Sequence, residues 1–511
     1  MSKTQFYKQV KALITDRFEK QEAAFVCSYV EYYYQDLSNE DVSDRELEDL
    51  YGAAIAHLNL AQTRVENAYS VHVYNPDYEA HGWQSTHTVV EVVTSDMPFL
   101  VNSLTMNLNE MGLTCHLVVH PIIPVDRDKK GVLKGLDKTK SPQLESFIRI
   151  EIDRQTTNSD AIEKISERVE RVLACNIASV EDWKTNVKKL QNVKKTLKSV
   201  SAKIKGEDIA ESIHFLDWLE KDNFLFLGYR EYELVQTKKS EAFKIIEGTG
   251  SGILRDELAT IPDLGEIPIS SEKCVFMSET CPLVVTKATT KSILHRPAYM
   301  DYVGVKKFND KGQVIGEYRF LGLYTSTAYH APIEEVPLIR KKVDKLFAKS
   351  AFKKNSHNAK SLMNVMEGLP RDELFHSSDE QLLELALGVL KLKERQRIKV
   401  FARGDGYGQF VSVLVYVPRD HYNTNVRKKM EGVLSKRLNA DNIDFNVQFS
   451  DSIFARIHFI IHTPNGWDGD INVTEIENEI TDLLKDWKDE LHTALTLQLG
   501  EVEGKNIYNG Y

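Results

Sequence analysis

HTVVEVVTSDMPFLVNSLTMNLNEMGLTCHLVV (residues 87–119) changes its hydrophobic period twice. Residues 87–94 form a compact β-branched run, the composition of a strand buried on both sides. A helix is expected over about 98–111: Pro98 stands near the first turn, where its missing N–H costs nothing, and Gly112 stands at the stop. Residues 113–125 then return to a strand pattern. Working outward, 146–152 reads as a strand and 161–177 as a helix, which completes a βαββα order within a unit spanning 71–180.

Upstream, Phe6, Val10, Leu13, Ile14 and Phe18 recur at helical spacing, as do Leu47, Leu50, Tyr51, Ala54, Leu58 and Ala61, so 1–70 is an N-terminal helical segment. Ser43 and Glu46 have the spacing of a capping box for the second of these helices. Downstream, within the segment 181–206, the stretch from Lys184 to Lys205 holds eight lysines and no acid. Val187, Leu190, Val193, Leu197, Val200 and Ile204 form one apolar seam along it, as in a connecting helix whose charges face water.

A central α+β domain is expected over 207–395, with a helix ending at Trp218 and Leu219, a strand at 224–235, and a hairpin of 302–308 and 314–325 around Asn309-Asp310-Lys311-Gly312. Over 396–511 the strands 397–403 and 410–417 are joined by GDGYG. A helix at 423–438, strands at 445–449 and 454–461, and a helix after Val473 follow. The βαββα order thus occurs twice, an architectural repeat in a multidomain α+β chain.

At 511 residues the chain exceeds a single ordinary core. A net charge of −10 argues against attraction to nucleic acid or anionic lipid, and no apolar run approaches the ~20 residues of a membrane span. A cytoplasmic location is expected. Cys27, Cys115, Cys175, Cys274 and Cys281 are scattered without a C-x-x-C pair, which suits reduced thiols rather than a disulfide framework or a zinc site.

Catalytic and cofactor motifs are not recognisable. Gly248-Thr249-Gly250-Ser251-Gly252 reads as a loop, and Gly404-Asp405-Gly406-Tyr407-Gly408 leads into a strand rather than a helix, so neither fits a dinucleotide fingerprint. His81, His87, His116 and His120 lie close in sequence without metal-ligand spacing. No lysine has a glycine-rich setting suited to deamination chemistry. We therefore expect no catalytic residue, no bound cofactor and no metal. The segment Asp96-Met97-Pro98-Phe99-Leu100-Val101 is the one candidate for ligand binding, because N–H groups free at a helix start can hold a carboxylate. Its structural alternative is that Asp96 caps the helix and Pro98 begins it.

Long strings of the chain resemble the large bacterial NAD-specific glutamate dehydrogenase family. They are HGWQSTHTVVEVVTSDMPFLVNSL (81–104), HLVVHPIIPVDRDKKG (116–131), DNFLFLGYREYEL (222–234), HRPAYMDYVGVKKFNDKGQVIGEYRFLGLYTSTAY (295–329), LPRDELF (369–375) and LKERQRIKVFARGDGYGQFVSVLVYVPRDHYNT (392–424). The resemblance implies an N-terminal, non-catalytic region with two ACT-like domains in a much longer enzyme that deaminates L-glutamate to 2-oxoglutarate with NAD. It further implies self-association, C-terminal catalytic domains as partners, and an amino-acid effector held at 96–101. ACT domains are βαββαβ units, and both copies here lack an obvious last strand. Phe99 stands where the family's ligand turn commonly carries glycine, and a side chain there would close the approach to the backbone. Ligand binding and assembly both stay open as roles for these units.

Overall fold

The computed structural model describes residues 3–508 apart from 44, 66, 138, 140–142, 157–158, 203, 205–208, 237–240, 259–265, 269–280, 351, 354–355, 393–396, 406–409, 450–451, 464–466, 468–469 and 485–486. Cys274 therefore lies outside the described residues, and Cys27, Cys115 and Cys175 are free thiols.

The first sheet contains β1 (Ser70–Tyr74), β2 (Thr88–Ser95), β3 (Cys115–Val119), β4 (Ile122–Arg127), β5 (Leu133–Leu136) and β6 (Gln143–Ile152). At its centre β2 and β6 pair antiparallel from Thr88↔Ile152 to Ser95↔Glu145. β3 also runs antiparallel to β6, so β2 and β3 are parallel to each other, and the helix Leu100–Glu110 makes the crossover between them. The strand expected at 113–125 is broken into β3 and β4. Pro121 has no N–H to give a ladder; its carbonyl instead accepts from the N–H of Phe147 at 3.1 Å.

Side chains alternate between two buried faces. Val93, Phe147 and Leu117 meet Phe6, Val10, Tyr29 and Tyr33 of the N-terminal helices. Val90, Val92, Ile148 and Ile150 meet Leu104, Leu108, Val169 and Leu173 of the two helices on the opposite side. With helices on both faces, β2 is buried along nearly its whole length, which is why its valines occur in adjacent pairs on either side of Glu91 instead of alternating with polar residues. The capping box at Ser43 does not form. Ser43 ends the short helix Asn39–Ser43, its hydroxyl donates to the Glu40 carbonyl at 2.9 Å, and the N-cap of Leu47–Leu60 is Glu46 without a side-chain bond.

One helix, Ser159–Val200, covers both the closing helix of the first unit and the basic connector, running unbroken through residue 180. Its 42 residues carry it from the first sheet into the central core, where Leu190, Val193 and Leu197 are buried. The lysine run is only partly a solvated face: Lys189 donates to the Thr249 carbonyl at 2.9 Å and Lys194 pairs with Asp217 at 2.7 Å, while Lys184, Lys188, Lys195 and Lys198 are exposed.

The central sheet runs Glu266–Pro268, Glu241–Ile245, Phe224–Gln236, Val314–Tyr324, Tyr299–Phe308, Leu283–Lys291, all neighbours antiparallel. The expected hairpin is present, with the Asn309 side chain accepting from the N–H groups of Lys311 and Gln313 and Gly312 at φ 77°. The helices Ile339–Ser350, His357–Gly368, Arg371–His376 and Asp379–Leu392 follow.

In the last unit the sheet order is Lys399–Gly404, Phe410–Pro418, Phe454–His462, Asn442–Phe449. Phe410–Pro418 and Asn442–Phe449 both pair antiparallel with Phe454–His462, repeating the crossover of the first unit around the helix Thr424–Leu438. The glycine cluster at 404–408 joins two paired strands; residues 406–409 themselves lie outside the described residues. In both units the strand preceding the βαββα order (Ser70–Tyr74, Lys399–Gly404) pairs with its first strand. The fourth strand comes from upstream, which is why no last strand is legible downstream.

Candidate functional site

The 96–101 turn is built by long-range contacts rather than by helix capping. The helix begins at Leu100, and the cap position is Phe99, which makes no side-chain cap bond and sits at φ 72°, ψ 0°. Asp96 is not the cap expected of it. Its N–H donates to the Leu144 carbonyl at 3.0 Å, and its Oδ1 accepts from the Ser146 hydroxyl at 2.7 Å. Ser146 in turn accepts from Nε2 of His120 at 3.0 Å, since its own proton is directed at Asp96. This order places serine between acid and imidazole, whereas nucleophile activation needs histidine in the middle, so the chain of contacts orients groups and does not generate an alkoxide. Burial pushes the His120 pKa down, which keeps the ring neutral near pH 7.

The left-handed Phe99 backbone is the conformation a glycine would adopt freely. The structure thus retains the glycine-type turn but fills it with an aromatic ring, packed on the His295 imidazole at 4.9 Å between centroids. The Pro98 carbonyl accepts from Asn176 at 3.0 Å, and Ser103 accepts from the His295 N–H at 3.0 Å. Met97 is half-buried, Leu100 buried and Val101 half-buried within the core shared with the central sheet, while Asp96 and Pro98 stay exposed. Of the four clustered histidines, His87 and His116 meet, at 4.3 Å between rings; His81 packs on Tyr74 and His120 on Ser146. Among the described residues no group of three or more His, Cys, Asp and Glu side chains is placed to hold a metal ion.

A second polar centre lies between the central block and the last sheet, and sequence reasoning missed it. Lys287, buried, pairs with Asp301 at 2.5 Å and Asp372 at 3.3 Å. Burial alone would discharge this ammonium; the two carboxylates raise its pKa instead. Beside it, Glu373 receives two bonds of 2.8 Å from Arg403 and one of 2.6 Å from Ser412, with His458 at 3.5 Å. Burial opposes the charge of Glu373, but these partners hold its carboxyl well below the usual range. These contacts tie the helix Arg371–His376 to the last sheet. Lys342 is pushed down by burial to about 8, a value suited to proton transfer, yet its ammonium is committed to the carbonyls of Leu374, Phe375 and Ser377 at 2.6–3.1 Å, a cap for that helix. No local signal marks these groups, since the partners are far apart in sequence.

Models of known families match three parts of the chain: the ACT1 domain of glutamate dehydrogenase at 29–169, its helical motif 1 at 336–395 and its ACT2 domain at 399–488. The NAD-specific glutamate dehydrogenase of Halomonas elongata is 34% identical over 505 residues, covering 98% of this chain and 31% of that protein. That of Pseudomonas aeruginosa is 33% identical over 510 residues, covering 99% and 31%. That of Mycobacterium tuberculosis is 28% identical over 458 residues, covering 85% and 26%. The chain spans about a third of the length of the curated relatives it matches. Along nearly its whole length the chain is therefore homologous to part of the large bacterial NAD-specific glutamate dehydrogenases, with ACT-like domains at both ends of the matched region.

Proposed function

We propose that this chain is the regulatory and assembly region of an NAD-specific glutamate dehydrogenase, organised as the units 1–70, 71–180, 181–206, 207–395 and 396–511. The observation that carries the reading is the end-to-end match of the chain to about a third of such enzymes, through their ACT and helical-motif segments. In the whole protein, L-glutamate would be oxidised to 2-oxoglutarate with hydride passing to NAD. The residues that hold NAD and drive that step would lie on catalytic domains with which this region associates. Self-association of the region and a cytoplasmic location belong to the same reading; no helix among the described residues is long and apolar enough to cross a membrane.

Within it, the turn Asp96, Met97, Pro98, Phe99, Leu100, Val101 is the seat of an amino-acid effector. Exposed Asp96 suits an ammonium group, and the N–H groups of the first helical turn suit a carboxylate. The turn packs on the central block through His295, so occupancy there would pull on a seam rather than on one unit. Equilibrium dialysis against NAD tests the reading: the chain is expected to leave NAD evenly distributed across the membrane, and retention of NAD by the chain would overturn it.

A further inference from the structure

A cleft of about 970 Å³ lies between the central block and the last sheet, and one of its walls is the strand Asn442–Phe449. Ile443, Asp444, Phe445 and Asn446 border it in succession. Side chains alternate between the two faces of a strand, so a cavity bordered by consecutive residues meets the strand at its edge. That edge is open: among the described residues this strand pairs only with Phe454–His462. A free row of N–H and C=O groups is a template for another chain, and proteins ordinarily blunt it with lysine, proline, a bulge or a short length. None of these is present. The strand is eight residues long, its register runs without a shift from Asn442↔His462 to Phe449↔Ala455, and its one charge, Asp444, is turned to Lys291 at 2.8 Å.

The other wall decides what can lie there. Arg296, Pro297, Ser326 and His330 of the central block line the cleft, which leaves no room for a second copy's sheet to come edge to edge along it. A single strand fits: over the ~17 Å from residue 443 to residue 448, a volume of this size has a section of about 5 Å by 10 Å, that of one extended chain. Charge narrows the choice further. Glu367 is paired with Arg371 at 3.4 Å, and Asp444 is committed to Lys291. Arg296 and Arg456 have no carboxylate partner among the described residues: Arg296 bonds the Tyr324 carbonyl at 2.9 Å, and Arg456 bonds the Gly368 carbonyl and Gln448. Burial holds the Arg456 pKa below the ordinary guanidinium value, as expected of a cation short of counter-charge.

We infer that the open edge of Asn442–Phe449 receives an extended segment of a partner protein as a fifth strand of the last sheet, with an acidic side chain of that segment set against Arg296 and Arg456. Main-chain hydrogen bonds supply the affinity and the acid supplies the selectivity. The added strand touches the central block and the last unit at once, so its binding energy falls on the contact between them. The inference is separate from the 96–101 turn and does not rest on the regulatory reading.

The test uses the full chain. Selection from a display library of random decapeptides is expected to enrich sequences that alternate β-branched residues and carry at least one Asp or Glu. A synthetic copy of the most enriched peptide should bind by calorimetry, slow amide hydrogen exchange at 442–449, and lose about tenfold in affinity when its acid is replaced by the amide. Arg456→Gln should remove that preference for the acid. N-methylation of alternate peptide nitrogens, made in both alternations, should abolish binding in at least one of them, because the strand is held by its backbone. No enriched sequence, protection elsewhere than 442–449, equal affinity for the amide peptide, or binding that survives both N-methylated forms would overturn the inference. Protection of 442–449 that rises with chain concentration in the absence of peptide would overturn it too, since the edge would then be pairing with a second copy. Where Arg456→Gln fails to fold, the acid-to-amide comparison and the exchange pattern on the unmodified chain decide the matter.

Discussion

Phe99 lays its ring against the imidazole of His295, 4.9 Å between centroids, and both residues hold left-handed backbones, φ 72° and φ 70°. Two strained residues, one on the crossover turn of the first unit and one on a loop of the central block, meet at the seam that joins them. Such a backbone costs about 1–2 kcal/mol at each non-glycine residue, and tertiary contact must offset it.

At Phe99 the strain and the packing can be separated. Phe99→Ala removes the ring contact and keeps the strained backbone, so it should destabilise by about 1–3 kcal/mol. Phe99→Gly removes the ring and the strain together, so the smaller residue should be the more stable of the two variants. Denaturation midpoints check the order; Ala above Gly would show that the conformation at 99 is not a cost.

Stability should depend on pH through His57. This side chain is fully buried, accepting from the Tyr33 hydroxyl at 2.8 Å and donating to the Val92 carbonyl at 3.1 Å, and burial pushes its pKa down to about 3. The unfolded chain binds a proton near pH 6.5 and the folded chain does not, so stability contributed above that pH is lost as pH falls from about 6.5 toward 3. His57→Gln should lower the melting temperature at pH 8 but flatten its fall over the acid range. An unchanged slope would place the acid sensitivity elsewhere.

Glu91 should act with the opposite sign. It is buried, one oxygen receives the Tyr74 hydroxyl at 3.3 Å, and the other has no partner. Burial raises its pKa to about 7 against the pull of nearby Arg149. A folded pKa above the unfolded one makes the carboxyl destabilising as pH rises from about 4.5 to 7, and the penalty is fully present above 7. Glu91→Gln should therefore stabilise the chain by roughly 1–3 kcal/mol at pH 8 and by little at pH 5. Thermal melts at the two pH values measure the difference, and a destabilised variant at pH 8 would mean that the charged form is needed.

Glu373 fastens the last unit to the helical part of the central block. Glu373→Ala leaves Arg403 buried without its bidentate partner and leaves the Ser412 hydroxyl only His458 Nε2, at 2.8 Å, a loss of about 3–5 kcal/mol. Scanning calorimetry should show the last unit melting as a separate, earlier transition. A single transition shifted as a whole would show that the seam does not depend on this contact.

How much of this was legible in the sequence follows from how far each interaction reaches. The strand Thr88–Ser95, the crossover helix and the hairpin at 309–312 were readable because each writes its own local pattern: a β-branched run, a proline-to-glycine span, a turn quartet. The seam of the connecting helix was readable from its spacing, and Leu190, Val193 and Leu197 are indeed buried. Ser70–Tyr74 was not, because SVHVY is a short edge strand with little to set it apart. Ser43 and Glu46 matched a capping motif that the preceding short helix overrides. Asp96 was singled out, but its partner Ser146 lies 50 positions on, and neither the φ of Phe99 nor its contact with His295 leaves a trace in the sequence. The cleft brings Arg296 to the strand Asn442–Phe449 across a longer span of sequence, beyond the reach of any local motif.

The central claim is that regulation and assembly reside in this chain while the redox step does not. Its most direct test is absorbance of reduced nicotinamide in a solution of the purified chain with L-glutamate and NAD. A flat trace, unchanged by raising the protein concentration, is the expected result. A slope that scales with the chain and vanishes without glutamate would contradict the claim.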